Sequence, residues 1–199
     1  TARNFTLSYT RNLKGGVTSF GNTIFNAVTN GLPDLTLMNE SGDPNNTSGG
    51  LGYSQYGNDQ SDMKQVDIDG DTLTINSSSA NLVLPAGTSG IKFARLYWGG
   101  RIDASVVSGT PDTLTKVKIR KGISGAYSTL TAQDVITVFS SDSLSEVYQS
   151  FVDITSFIQV NSSGTYTVAD IPVSETDVQG GQYGGWAITV VYENPTAPF

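Results

Sequence analysis

The chain of 199 residues contains no cysteine and no histidine. Without cysteine it can form no disulfide, no iron–sulfur cluster and no thiolate zinc site. Without either residue it has no Ser-His-Asp triad, no Cys-His pair and no histidine general base. We therefore predict no catalytic residues and no enzymatic activity. A glycosidase that uses two carboxylates about 5–9 Å apart is the enzymatic alternative, although nothing in the sequence pairs two acids.

Charge is also scarce, because only 15% of the residues are charged and the net charge is −7. Such an acidic protein repels phosphate backbones and anionic lipids, so nucleic acid and membrane surfaces are expected to be poor partners. It remains compatible with cation binding. No apolar run approaches the ~20 residues of a membrane-spanning helix. The chain begins with Thr1 rather than Met, which indicates a processed or excised segment.

In place of charge, the chain is rich in Ser, Thr, Asn and Gly, and 37% of it is hydrophobic. Thr, Val and Tyr favour strands, whereas Gly and Asn favour turns, so this composition is typical of a β-rich protein. The apolar fraction is sufficient for an ordinary core. We predict one all-β domain over 1–199, a two-sheet sandwich or jelly roll with at most one short helix.

Apolar patterns along the chain predict the strands. An N-terminal strand is predicted over Phe5–Tyr9, and Val66 with Ile68 and Leu73 with Ile75 alternate in the same way. Lys116–Arg120 is expected to turn its charges to solvent. The remaining predicted strands are Ala80–Leu84, Ile91–Trp98, Asp134–Phe139, Thr165–Val173 and Trp186–Tyr192. Of these, Ile91–Trp98 carries Lys92 and is expected to be buried on both faces, and Trp186–Tyr192 is expected to be central in a sheet.

One helix and one long loop interrupt this pattern. Asp153 is positioned to cap a short helix over 154–159. Residues 39–62 form a long polar loop with almost no aliphatic side chains, and such loops are usually functional or mobile. Within it, Tyr53 and Tyr56 are candidate ligand-binding residues, because exposed tyrosines beside amides and carboxylates suit contact with glycans or proteins. The alternative is that these tyrosines are incidental.

Three aspartates at alternate positions, Asp67, Asp69 and Asp71, surround a glycine turn. Together they offer carboxylate oxygens to one hard cation, and Ca²⁺ accepts six to eight oxygens in irregular geometry. We predict a calcium site here. The competing interpretation is a hairpin turn in which Asp69-Gly70 supplies the turn residues and the carboxylates are solvated.

A second candidate site follows the buried strand, where Trp98 precedes two glycines and Arg101. Trp98 could stack on a sugar while Arg101 and Asp103 bind its hydroxyls. In the alternative, Trp98 fills the core and the glycines let the chain leave the strand sharply. The segment from Tyr183 to Trp186 has the same Gly-Gly-aromatic chemistry, so the two corners are predicted to pack near each other.

Four segments together resemble a known group of bacterial surface proteins. They are Gly15–Asn22, Val66–Ala80, Leu84–Arg101 and Gly164–Phe199. Their order and spacing are similar to the N-terminal region of large secreted surface proteins, including gliding-type adhesins and proteins with DUF11-type surface repeats. The resemblance implies surface display or adhesion and carries over no catalytic residues. It also implies either that the domain continues past Phe199 or that another chain completes an edge strand.

The sequence therefore predicts an extracellular structural or adhesive module of a bacterial surface protein, which mediates adhesion or assembly into a filament or matrix. Its partner would be a second copy of the chain, another surface protein or a glycan. Phe5, Leu7 and Tyr9 are the candidates for strand exchange, because a free strand offers unpaired N–H and C=O groups to another chain. The alternative function is a calcium-dependent carbohydrate-binding module.

Overall fold

A computed structural model describes residues 6–29, 32–33, 63–103, 114–139, 145–174 and 183–197. Within these ranges the chain is all-β, with antiparallel sheets packed as a sandwich and one short helix, which confirms the predicted fold class. The predicted polar loop 39–62, with Tyr53 and Tyr56, lies outside the described residues, as does Phe5.

The strands, in chain order, are β1 (Gly15–Thr23), β2 (Phe25–Thr29), β3 (Leu32–Pro33), β4 (Met63–Gln65), β5 (Ser77–Leu82), β6 (Gly90–Asp103), β7 (Lys116–Lys121), β8 (Ser128–Thr131), β9 (Asp134–Phe139), β10 (Ser145–Asp153), β11 (Gly164–Ala169) and β12 (Gly184–Glu193). The front sheet has the strand order β1-β12-β6-β10-β9, the back sheet has the order β5-β11-β7-β8, and a small third sheet has the order β3-β2-β4. The helix α1 spans Thr155–Asn161.

The core lies between the front and back sheets. The predicted central strand is confirmed, since β12 lies between β1 and β6 and buries Trp186, Ile188 and Val190. Tyr166 of the back sheet is also fully buried. The Phe20 ring joins the two layers, with its centroid 5.6 Å from that of Tyr166 and 6.1 Å from that of Trp186. Apolar side chains at alternate positions therefore close the sandwich, as the sequence pattern predicts.

The predicted short helix is present and begins one residue later than expected, at Thr155. The Asp153 carboxylate accepts a hydrogen bond of 2.9 Å from the Thr155 backbone N–H, so it satisfies a donor at the helix start. Ile158 is fully buried, and Phe157 packs against the core. The helix ends at Asn161, and the C-cap residue Ser162 has a positive φ of 55° and donates its N–H to the Ile158 carbonyl.

Three of the predicted strands are wrong. Val66 and Ile68 lie outside the described strands, and the Asp67 between them forms only an isolated bridge with Ser77. Residues 6–13 form no strand, so the expected Phe5–Tyr9 strand is absent over its described residues, and the first strand begins at Gly15. Leu73 and Ile75 also lie outside any strand and are 78% and 66% exposed. Polar contacts hold their backbone instead: Lys118 donates to the Leu73 carbonyl, and the Ile75 N–H donates to Asp170. Alternation without a partner strand therefore leaves both side chains in water.

The strand predicted over 91–98 is longer than expected and is not dry on both faces. It continues to Asp103 as β6, and Lys92 sits at an irregularity where the pairing with β12 passes from Phe93 to Ile91. The Lys92 ammonium lies at the surface, 2.8 Å from the Glu193 carboxylate. The extra residue of the bulge turns this lysine outward, which a simple period of two does not predict.

The two glycines after Trp98 do not end the strand, which corrects the expectation that the chain turns away there. A Cβ at Gly100 would lie 2.6 Å from the Val173 Cγ1 atom and 3.0 Å from the Tyr183 carbonyl oxygen. Glycine at this position therefore allows the 172–174 segment and the start of β12 to pack closely on β6.

We expect Gly100→Ala to lower the free energy of unfolding by about 1–3 kcal/mol, because the added methyl group overpacks this contact. Gly90→Ala is the matched control on the same strand, since a Cβ at Gly90 would meet only the Lys92 ammonium at 3.9 Å. Urea denaturation followed by circular dichroism measures both. Equal losses for the two variants would contradict the packing role of Gly100.

Candidate functional site

The outer face of the front sheet carries an open trough. Because Trp98 and Trp186 point into the core, their strand neighbours point outward. The register places Gly185 beside Gly99 and places Gly99 beside Gln149. The resulting depression has a volume of about 390 Å³ and is named here the trough. Its outward-facing residues are Tyr97, Gly99, Gln149, Tyr183, Gly185 and Ala187.

The chemistry of the trough is that of a flat, mainly apolar surface with a few polar groups. Gly99 and Gly185 bring no side chains, so the backbone of β6 and β12 forms its floor. Tyr97 and Tyr183 provide aromatic rings, and the Tyr183 side chain is exposed. The exposed Gln149 amide offers both donors and an acceptor. Aromatic rings with nearby polar groups are typical of sites that orient a flat ligand.

The predicted Gly-Gly-aromatic segments do pack together, as expected, because Trp98 is the register partner of Trp186. Both indoles, however, face the core. The Trp98 Nε1 donates to the Leu114 carbonyl at 3.3 Å, and the Trp186 Nε1 donates to the Ser78 hydroxyl at 2.8 Å. The structure therefore places Trp98 as a core side chain behind the trough, where its faces are closed to a ligand.

Arg101 and Asp103, the other two residues of this candidate site, continue along β6 beyond Gly99. Arg101 is buried, and its backbone N–H donates to the Tyr183 carbonyl at 3.0 Å. The Asp103 N–H donates to the Ser174 hydroxyl at 2.7 Å. These bonds tie β6 to neighbouring segments and fix the position of Tyr183 at one end of the trough. Ligand binding by Arg101 and Asp103 stays a prediction.

The aspartates predicted to bind calcium make hydrogen bonds within the protein. Asp69 Oδ1 accepts from the Asp71 N–H at 3.0 Å, and its Oδ2 lies 3.0 Å from the Arg120 guanidinium. Tyr127 donates its hydroxyl to the same Oδ2 atom. Asp67 accepts from the Ser77 hydroxyl at 2.8 Å. The sequence did not single out Arg120 or Tyr127, which lie more than 50 residues further along the chain than Asp69.

The aspartate at the centre of this cluster is held ionised. Burial raises the pKa of Asp69, but hydrogen bonds from Tyr127 and the Asp71 amide, together with the charge of Arg120, outweigh burial and hold the pKa below its ordinary value. Burial and the neighbouring Asp69 raise the pKa of Asp67. Burial, followed by the Asp69 contact, raises the pKa of Tyr127 above its usual range.

Within the described ranges, no three acidic side chains are grouped so that they could hold a metal ion. The Asp71 Oδ1 atom accepts from the Leu73 N–H at 2.9 Å, so this carboxylate is engaged with its own turn. The calcium site therefore stays a prediction. What the geometry does establish is an ion pair between Asp69 and Arg120 that connects the loop after β4 to strand β7.

The burial of Arg120 corrects the expectation that the charges of β7 all face solvent. Only 5% of this side chain is exposed, because the loop around Asp69 and the turn after β7 cover it. Its Nη1 donates to the Gly125 carbonyl at 3.1 Å, its Nη2 donates to the Ile123 carbonyl, and its Cζ lies 4.2 Å above the centre of the Tyr127 ring. In the sequence, the feature closest to an indication of this burial is the glycine-rich turn between Arg120 and Tyr127.

Next to the trough, an aromatic stripe continues along the front sheet. The stripe consists of Phe93, Tyr97 and Phe151 around Arg95. The Tyr97 and Phe151 ring centroids are 6.0 Å apart, and the Arg95 Cζ atom lies 4.7 Å from the centre of the Phe151 ring. Stacking of a guanidinium on aromatic faces stabilises the cation in place. Trough and stripe together occupy the outward side of β6.

Comparisons with protein-family models, curated proteins and solved structures found no match for this chain. The resemblance to bacterial surface proteins accordingly stays a prediction. Along the described part of the chain, no helix is both long enough and apolar enough to cross a membrane.

Proposed function

We propose that the chain is a non-enzymatic adhesive module of a bacterial cell-surface protein and that it binds a glycan through the outer face of its front sheet. The observation that carries the proposal is the trough, in which Gly99 and Gly185 leave a flat floor beside the rings of Tyr97 and Tyr183. A sugar ring has an apolar face that stacks on an aromatic ring and hydroxyl edges that reach polar groups such as the Gln149 amide.

The support behind the trough favours a rigid, preformed site. Its floor belongs to β6 and β12, the two strands that pair most extensively in the front sheet. Behind the floor, the two tryptophans fill the core and each donates its indole N–H to a neighbour. A site on paired strands loses little conformational freedom when a ligand binds, which favours affinity.

We expect Tyr183→Ala to weaken binding to a glycan at least tenfold without lowering the melting temperature, because this exposed ring contacts solvent and the trough. A glycan array with the full chain identifies a binder, and titration calorimetry measures its affinity. Ile123→Ala is the control, because Ile123 is an exposed apolar residue on the turn after β7 in the back sheet, away from the trough. If the wild-type chain and Tyr183→Ala bind the glycan with equal affinity, the trough is not the binding site.

The alternatives give different results in the same experiment. Glycan binding that disappears on chelation and returns with calcium would establish the calcium-dependent form, and Asp67→Asn should then abolish it. Concentration-dependent multimers in light scattering, without glycan binding, would favour assembly into a filament or matrix. Turnover of a chromogenic glycoside would replace the proposal with a carboxylate glycosidase.

A further inference from the structure

The trough is continuous with the aromatic stripe, and the stripe contains a single cation. The outward residues of β6 run from Phe93 through Arg95 and Tyr97 to Gly99, at the spacing of alternate residues in a strand. The Arg95 Cζ atom lies 5.2 Å from the centre of the Phe93 ring and 4.7 Å from the centre of the Phe151 ring. The protein as a whole has a net charge of −7, which repels an anionic ligand at long range, so recognition of an anion here depends on direct contact with this guanidinium.

The hydrogen bonding of Arg95 is incomplete. Its Nη1 donates to the Ser8 hydroxyl at 2.8 Å. Its Nε atom is buried and finds no hydrogen-bond acceptor among the residues that the structure describes. A buried donor without an acceptor costs free energy, and a guanidinium normally offers its adjacent N–H groups as a pair to a carboxylate. Arg95 therefore has an unmet capacity for an anionic, bidentate acceptor.

The chain itself covers this position with residues 6–13, which we name the strap. Tyr9 stacks on Phe93, with 5.2 Å between the ring centroids and 21° between the ring planes. The strap forms no strand, and no backbone hydrogen bond connects it to the sheet within the described part of the chain. Leu7, at its start, is exposed. Because a few side-chain contacts hold it, the strap can be displaced at low cost.

We propose that a carboxylate-bearing sugar, a uronic acid residue of an acidic glycan, displaces the strap and binds to Arg95. The strap already shows the chemistry that this position accepts, namely a ring on Phe93 and an oxygen on the guanidinium. A uronic acid provides the ring and the oxygen in one unit, and its carboxylate adds an acceptor for the Nε–H of Arg95. This inference rests on the proposed function, since it places the acidic sugar on the same face as the trough.

The test is calorimetric titration of the full chain with hexamers of galacturonate, glucuronate and mannuronate, and with the methyl ester of the hexamer that binds best. The ester keeps the ring and removes the charge. We expect the acid to bind at least tenfold more tightly than the ester, and Arg95→Gln to remove this preference. Lys92→Gln is the matched control, because Lys92 is a surface cation on the same strand, and it should change the affinity less than twofold.

The strap gives a second, opposite readout. Tyr9→Ala should strengthen binding of the acidic hexamer several-fold, because it weakens the competitor without touching Arg95. Melting temperatures of all variants confirm that each is folded. Weaker binding by Tyr9→Ala would overturn the displacement, and equal affinity for acid and ester would overturn the role of the carboxylate.

Two further outcomes separate this inference from the proposed function. In the first, neutral glycans bind in a Tyr183-dependent manner and Arg95→Gln changes the affinity for no hexamer. This result would overturn the inference and leave the proposed function standing. If the chain binds no glycan on the array, both the inference and the proposed function are overturned. Arg95-dependent binding of a polyglutamate peptide, with no binding of the hexamers, would replace the acidic glycan by an acidic peptide.

Discussion

Replacing Arg120 with methionine is expected to lower the free energy of unfolding by about 3–5 kcal/mol. The substitution leaves the Asp69 carboxylate, of which only 1% is exposed, without its charge partner. Removing one member of a buried ion pair is costly, because the remaining charge is neither solvated nor neutralised. The carbonyl groups of Ile123 and Gly125 would also lose their donor. Urea denaturation at pH 7 measures the loss.

Lys118→Met is the matched control, because Lys118 lies on the same strand and face and pairs with Asp170 at 2.8 Å. The side chains of this second pair are 28% and 25% exposed, so its removal should cost only about 0–1 kcal/mol. The double substitution Asp69→Leu with Arg120→Met should recover part of the loss, since no unpaired charge remains. Equal losses for Arg120→Met and Lys118→Met would show that burial does not distinguish the pairs.

Raising the pH from 9 to 11.5 is expected to destabilise the fold through its buried tyrosines. Burial raises the pKa of Tyr166 to about 12 and raises the pKa of Tyr148 well above its ordinary value of 10. A raised pKa in the folded state means that stability is complete below pH 10 and falls as the unfolded chain begins to ionise above it. Each tyrosine then lowers the free energy of unfolding by up to about 1.4 kcal/mol per pH unit.

Tyr148→Phe isolates one of these contributions. The Tyr148 hydroxyl donates to the Pro172 carbonyl at 2.8 Å, so the variant should lose about 1 kcal/mol at pH 8. Above pH 10 the free energy of unfolding of the variant should fall less steeply than that of the wild type, and the two slopes should differ by about 1.4 kcal/mol per pH unit. Urea denaturation at several pH values gives both slopes. Parallel slopes for the two proteins would mean that Tyr148 ionises equally in the folded and unfolded chains.

Two of the paired strands, one at the edge of the front sheet and one inside it, were predictable from the sequence. The strand Asp134–Phe139 has the bounds that its pattern predicts, and β12 is central with alternate residues buried. Both succeed because side chains in a paired strand point to opposite faces, so burial has a period of two. The same pattern at Leu73 and Ile75 failed, because nothing in a local window reveals whether a partner strand exists.

The candidate sites were predictable only in part. The sequence identified the two Gly-Gly-aromatic segments and their proximity, but it assigned ligand binding to Trp98, which the fold buries. The trough is lined by the residues on either side of this tryptophan in the strand, which point to the opposite face of the sheet. Which face is exposed depends on which side of the sheet meets the core. Likewise the three aspartates were recognised, but the arginine that pairs with Asp69 was expected in solvent.

By itself the sequence determined the all-β class, the alternating core and the exclusion of thiol and imidazole chemistry, because these follow from composition and from the local period of side chains. Only the tertiary structure decided the rest. The register that sets Gly99 beside Gly185, the fold of the loop over Arg120 and the strap over Arg95 join residues far apart in the chain. Such contacts depend on how the strands pair across the whole domain, and no local pattern encodes them.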